Sequence, residues 1–231
     1  MKSFIITLLL ISTTMVAYSQ NEFEIFGDVK GLDNQKILLL KTVGASFEME
    51  MVEVENEKFH IKGEISEPYW VQLIKIKDGT ESETEGKLTE FILEASKIYV
   101  VGCSKEYEDV KVYGSESDRV LKEYFEEDER LNSKWFKLKE QKEKYEQQGD
   151  EHNAGVIKEQ MNKIAKVDKV ELLKKYVKEN RDNIIGALIP NFCTIDNLLT
   201  EEDYQEIYQT LTEEIRETDF GKSILERSKK Q

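Results

Sequence analysis

The hydrophobic period of this chain changes at Gly114-Ser115, and that change constrains the fold more than any other feature. Before it, apolar residues recur at every second position. After it, they recur every three or four. A period of two sends successive side chains to opposite faces of a strand, whereas a period near 3.6 lines one face of a helix. The chain is therefore predicted as α+β, with a β-rich part over 20–115 and a helical region over 116–231.

In the first part Phe23, Ile25, Gly27 and Val29 alternate with polar positions, a turn follows at Gly31-Leu32-Asp33-Asn34, and an apolar run occupies 37–40. Phe47, Met49 and Met51 alternate with Glu48 and Glu50, and Phe59, Ile61, Gly63 and Ile65 alternate with His60, Lys62 and Glu64. Pro68 interrupts the pattern, which resumes over 69–76. A polar loop is expected over 78–87, then strands near Phe91, Ile98 and Val112. About eight short strands with no helical pattern between them predict an antiparallel sandwich or partly open barrel.

In the second part Leu121, Tyr124, Leu131, Trp135, Leu138 and Tyr145 form one stripe, missed at Asp128 and Lys142. A polar loop over 148–153 reverses the chain into a second helix to about Asn180, with Ile157, Met161, Ile164, Leu172 and Tyr176 roughly on one face. Two such helices predict a long antiparallel hairpin. A shorter helix is expected over 183–192, interrupted at Pro190. Thr200-Glu201-Glu202-Asp203 has the form of a capping box, with Tyr204, Ile207, Tyr208, Leu211 and Ile215 continuing at helical spacing, and a last helix covers 220–228.

The first nineteen residues have the form of a secretory signal: Lys2, an apolar run over 4–11, then Ala17 and Ser19 as a small-x-small pair, with cleavage expected between Ser19 and Gln20. A membrane span needs about 20 apolar residues, which this run with its Ser12-Thr13-Thr14 break does not supply. No cysteine lies near the cleavage point, so a lipid anchor is not expected either. Export to the periplasm or cell envelope is the reading, with no membrane span in the mature chain. The net charge is −14, and −15 without Lys2. Such a surface repels phosphate backbones and anionic lipid, which argues against nucleic-acid and membrane partners.

Catalytic signals are few. His60 and His152 have no paired ligand spacing, and zinc needs three or four convergent ligands. No cofactor is expected. Gly221-Lys222-Ser223 lacks the earlier glycine of a phosphate loop, since Arg216 stands there. The acidic runs 126–129 and 201–203 are read as helix surface and helix start. Cys103 and Cys193 allow a disulfide, but the narrow Cα separation a bridge requires argues for two inert thiols instead. Tyr69, Trp70, Tyr99, Tyr107 and Tyr113 are candidates for a sugar- or peptide-stacking face, with Tyr69 and Trp70 foremost, against the plainer reading of cross-strand packing.

The motif Phe23-x-Ile25-x-Gly27-x-Val29-x-Gly31-Leu32, with Phe59-x-Ile61-x-Gly63 before Pro68, Phe91-Ile92-Leu93-Glu94 and Val112-x-Gly114-Ser115, resembles domain-of-unknown-function family 4369. That family is the β-rich domain opening many exported thioredoxin-like, AhpC/TSA-type proteins of the Bacteroidota. Asn180 to Leu188 and Leu199 through Lys222 are similar to the charged helical segment that follows it there. In those proteins redox chemistry belongs to a thioredoxin-like domain with a Cys-x-x-Cys pair, which this sequence lacks, so no catalytic residue carries over. The expectation is a non-catalytic exported protein binding an unidentified protein or small ligand. The alternatives are a redox accessory to a separate thioredoxin-like enzyme, or a carbohydrate-binding module.

Overall fold

The period-two segments form eight strands in a computed structural model that describes residues 21–32, 35–43, 46–76, 84–105 and 109–229. The signal over 1–19, its cleavage point at Ser19 and Gln20, and Tyr107 lie outside the described residues. The strands are β1 (Glu22–Lys30), β2 (Lys36–Val43), β3 (Ser46–Glu53), β4 (Lys58–Glu64), β5 (Tyr69–Ile76), β6 (Thr84–Leu93), β7 (Lys97–Cys103) and β8 (Lys111–Tyr113). They make two open four-stranded sheets, ordered β4-β1-β7-β8 and β3-β2-β5-β6. Their inner faces share one apolar core, with Ile25, Val29, Ile61, Ile98 and Val100 from the first sheet against Ile37, Leu39, Val71, Leu73 and Phe91 from the second.

The chain alternates between the sheets, so strands distant in sequence become neighbours. One pairing consequently departs from the expected antiparallel pattern: β1 and β7 are parallel. A parallel pair needs a long crossover, and the five intervening strands provide it. The strand before Phe91 also begins earlier than expected, at Thr84, inside the segment read as loop. Its first residues are polar, and register shifts between Leu73 and Ile74 and between Lys75 and Ile76 break the alternation there.

The repeated Phe-x-Ile-x-Gly motif has a physical basis in the β1–β4 pair. Their antiparallel register sets Phe23 opposite Gly63, Ile25 opposite Ile61 and Gly27 opposite Phe59. Each phenyl ring lies over the glycine of the other strand: a Cβ on Gly27 would stand 2.1 Å from the Phe59 ring, and one on Gly63 2.9 Å from Phe23. The motif is its own complement when two copies run antiparallel.

The helices are α1 (Glu116–Gln147), α2 (Glu151–Lys163), α3 (Lys169–Glu179), α4 (Ile185–Phe192), α5 (Glu201–Thr210), α6 (Glu213–Arg216) and α7 (Asp219–Arg227). The hairpin forms as expected, but its turn is short, and His152 lies in the first turn of α2 rather than in a loop. A π-helical turn, Ile164–Asp168, joins α2 to α3. An extra residue in that turn rotates the apolar face, so α3 buries Val170, Leu173, Tyr176 and Val177 while Leu172 is only partly covered. Pro190 sits inside α4 rather than ending it. Leu211 is extended (ψ 149°), and this splits the expected helix into α5 and α6.

The two halves meet where the free edge of β6 abuts the start of α1. Gly114 turns the chain with φ +94°, a conformation open to glycine at little cost. The Ser115 hydroxyl donates to the Ile92 carbonyl (2.7 Å) and accepts from the Asp118 amide, while the Ile92 amide donates to the Asp118 carboxylate (3.2 Å). In return, Glu94 accepts from the Glu116 amide at 2.5 Å and from the Ser117 amide and hydroxyl. Strand edge and helix start thus satisfy each other's orphan groups. Ile92 and Trp70, on the outer face of the second sheet, join the helical core.

Candidate functional site

Strand alternation leaves the outer face of the first sheet to solvent, and the pairing registers bring its side chains into cross-strand rows. One row is aromatic throughout. Phe26 on β1 pairs with His60 on β4 and with Tyr99 on β7, and Tyr99 pairs with Tyr113 on β8. The His60 ring stacks on Phe26 with centroids 4.7 Å apart at 12°, and Tyr99 stacks on its other side at 5.5 Å and 21°. Tyr99 is 46% exposed and Tyr113 57%. Cross-strand ring pairs stabilise sheets by a few tenths to about 1 kcal/mol, yet a row crossing the whole sheet with Tyr99 and Tyr113 about half exposed exceeds what packing requires.

Charged rows frame the rings. On one side Glu24 pairs with Lys62 and Lys97, and on the other Asp28 pairs with Lys58 and Val101, beside Lys111. Lys58 Nζ lies 3.6 Å from Asp28, and His60 Nε2 3.5 Å from Glu24. Among the described residues Lys62, Lys97 and Lys111 make no ion pair. A shallow groove of about 710 Å³ runs along the β4 side, where Phe26, His60, Tyr99 and Lys58 meet three carboxylates, Asp28, Glu53 and Glu55. Flat apolar faces, ammonium donors and carboxylate acceptors together suit a ligand with ring faces and hydroxyls.

Tyr99 and Tyr113 thus belong to one surface, but Tyr69 and Trp70 do not join it. They are consecutive on β5, and Tyr69 packs against the sandwich core while Trp70 packs against the helical core. Trp70 stacks on Phe192 at 5.3 Å, and Phe192 approaches Phe220 at 6.3 Å. Lys41 Nζ stands 4.7 Å above the Tyr69 ring. Both residues line a cleft of about 380 Å³ between the second sheet and α4 and α7, together with Glu67 and Asp219. Burial, and after it the nearby Asp219, raises the Glu67 carboxyl above its ordinary value.

Cys103 and Cys193 are free thiols, the first at the end of β7 and the second just after α4. Burial pushes the Cys193 thiol up, which keeps it a poor nucleophile. Among the described residues no three His, Cys, Asp or Glu side chains converge on a metal position, and no helix is long and apolar enough to cross a membrane. The segment 201–203 is the start of a capping box: Thr200 accepts from the Asp203 amide, and Asp203 accepts from the Thr200 amide.

The acidic run 126–129 differs from its reading as helix surface at one position. Asp128 is buried, and Lys169, itself buried, places its ammonium 2.9 Å from Oδ1 and donates to Oδ2 at 3.1 Å. Thr194 donates to the same Oδ2 at 2.9 Å. Beside them the Tyr124 hydroxyl is enclosed without a hydrogen-bond partner among the described residues; burial, then Cys193 and Asp128, drive its acidity far down. This cluster joins α1, α3 and the segment after α4, and it opens to none of the clefts described above.

Sequence reasoning missed Phe26 and the role of His60 beside it. The available signal was an aromatic at an outward position of β1, a phase otherwise filled by Glu24, Asp28 and Lys30. No curated protein and no solved structure matches the chain. The family model described as Domain of unknown function (DUF4369) matches residues 23–121. The match takes in the interlocked strands, the aromatic row and the first turns of α1 that close the β6 edge, and over these residues the chain is similar to that family.

Proposed function

We propose that the protein is a non-catalytic exported binding protein, and that it meets its ligand on the His60–Phe26–Tyr99–Tyr113 row. The observation that carries this reading is the row itself: His60, Phe26 and Tyr99 stacked across three strands and Tyr113 next in register on the fourth, with Tyr99 and Tyr113 about half exposed. Exposed contiguous ring surface of this kind marks interaction sites. Export rests on the signal-like residues 1–19. The ligand is a small molecule, glycan or protein segment rather than nucleic acid, because a chain of charge −14 lacks the electrostatic attraction that phosphate backbones require.

Two measurements test the reading. N-terminal sequencing of protein recovered from the envelope fraction should begin at Gln20; recovery of the intact chain from the cytoplasm would remove export. Titration of the purified protein with oligosaccharide and peptide panels should shift the ring resonances of Phe26, Tyr99 and Tyr113 before those of Trp70. Thiol–disulfide turnover by the protein alone would contradict the non-catalytic part. The redox-accessory reading has less support, because both thiols are free and separately packed.

A further inference from the structure

We propose that the cleft between the second sheet and α4 and α7 binds a small organic cation, with its ammonium head facing Glu67 and Asp219 and its carbon skeleton against Trp70, Phe192 and Phe220. This site is separate from the aromatic row of the first sheet, and neither depends on the other.

The cleft of about 380 Å³ is of a size that holds a small molecule, and it lies where such sites are common, between two structural units. Three rings form a continuous wall. Trp70 of β5 stacks on Phe192 of α4 at 5.3 Å, and Phe192 approaches Phe220 of α7 at 6.3 Å. All three pack against the helical core yet stay only partly buried. Glu67 and Asp219 are the charged residues of the lining, and among the described residues no lysine, arginine or histidine joins them there.

Charge fixes the class of ligand. Asp219 has an account in the fold, since it stands in the first turn of α7, where the helix dipole favours an acid. Glu67 has none. It lies partly buried in the segment between β4 and β5 and makes no hydrogen bond or ion pair among the described residues. Burial and then Asp219 work against its ionised form, and a cation in the cleft would reverse that. The cations of the adjoining strand and helix are turned elsewhere: Lys41 to Glu48 at 2.6 Å, Lys222 to Glu217 at 4.0 Å and Arg227 to Asp196 at 2.8 Å. Ring faces attract a cation that lies within about 6 Å of the centroid, tryptophan most strongly. Rings and two carboxylates with no counter-charge therefore repel anions and favour an alkylammonium over a neutral molecule of the same shape.

The test uses the full protein carrying Trp135→Phe, so that Trp70 is the single fluorescent indole. It is titrated with choline, with butylammonium, and with dimethylbutanol, the neutral carbon isostere of choline. Choline should change the Trp70 emission saturably, and dimethylbutanol should bind about tenfold more weakly, the scale of a partly desolvated cation–ring contact. Glu67→Gln and Asp219→Asn should each weaken choline severalfold and leave dimethylbutanol unchanged, whereas Phe220→Ala should weaken both. Thermal melting accompanies each variant, and Glu67→Gln should melt no lower than the parent, so that its loss of binding is not loss of fold. Equal affinity for choline and dimethylbutanol would overturn the cationic class. A Glu67→Gln protein that melts like the parent and binds choline equally well would overturn the site. Choline that shifts the ring resonances of Tyr99 and Tyr113 and not those of Trp70 would also overturn it, while supporting the aromatic row as a binding face. No response of Trp70 to either cation would overturn the proposal and leave the reading of the first sheet untouched.

Discussion

The sandwich and the helical region are stabilised by different physics. The shared core of the two sheets is apolar but for Thr89, and its specificity comes from shape, as where the rings of Phe23 and Phe59 lie over Gly63 and Gly27. The helical side buries Ser117, Asp118, Asp128 and Lys169, and its specificity comes from matching charges and donors. A steric lock is indifferent to pH and salt, and it fails when volume is added. A buried polar lock fails when one partner is removed, since the other is left charged without compensation. The half with the apolar core also carries a cross-strand row of rings on its outer face, and these aromatics are free of structural duty in the core.

The sharpest way to break this contrast is Lys169→Met. It strands Asp128 in the interior, and about 3–5 kcal/mol of stability should be lost, measured by chemical denaturation. Adding Asp128→Leu should restore most of it, because an apolar pair replaces a matched ionic one. If the double variant were as unstable as the single, the charges would be doing more than satisfying each other. Gly27→Ala comes next: its new methyl meets the Phe59 ring, and overpacking of this kind costs about 1–3 kcal/mol. The loss should be the same at pH 5 and pH 8, and a pH-dependent loss would blur the distinction between the halves.

Smaller effects sharpen it further. Thr200→Ala removes the hydroxyl of the capping box and should cost about 1 kcal/mol. Burial would raise Asp203, but Lys174 and Thr200 overcome this and hold it below its ordinary value. A depressed acid contributes stability above its unfolded value and loses it as pH falls through the folded one. The stability conferred by this cap should therefore fade on acidification, as a pH series of thermal midpoints would record. Glu67 has the opposite sign. Its raised carboxyl favours the protonated form in the fold, so stability is fully present below the unfolded value and declines as pH rises through the folded one. Glu67→Gln should raise the thermal midpoint slightly at pH 7 and leave it unchanged at low pH. A lower midpoint at pH 7 would mean that Glu67 has a stabilising partner in solution.

Local pattern made most of this fold legible. Period two and short apolar runs located the strands, apart from the polar start of β6, and period 3.6 the hairpin, because side-chain burial follows strand and helix geometry directly. Pairing is another matter. The parallel β1–β7 register depends on strands 73 positions apart, as Glu24 with Lys97 or Phe26 with Tyr99, and no local alternation encodes it. The aromatic row shares that limit: Tyr99 and Tyr113 could be nominated singly, but their alignment with Phe26 and His60 exists only once the sheet has formed. Asp128 looked like surface acid because its partner Lys169 lies 41 residues on. Tyr69 and Trp70 pack against different cores, and the cleft that both line exists only once α4 and α7 lie against the second sheet.

The reciprocal cap at Ile92, Glu94, Ser115 and Asp118 also bears on how such a domain can be inherited. The last strand ends at Tyr113, which looks like a natural seam for recombination. A gene cut there would leave the amide and carbonyl of Ile92 bare on a strand edge, open to adhesion with any other chain. The family match instead runs on to residue 121, past the residues that seal that edge. A fragment meant to fold without a bare edge on β6 must therefore carry the sandwich with its first helical turns attached.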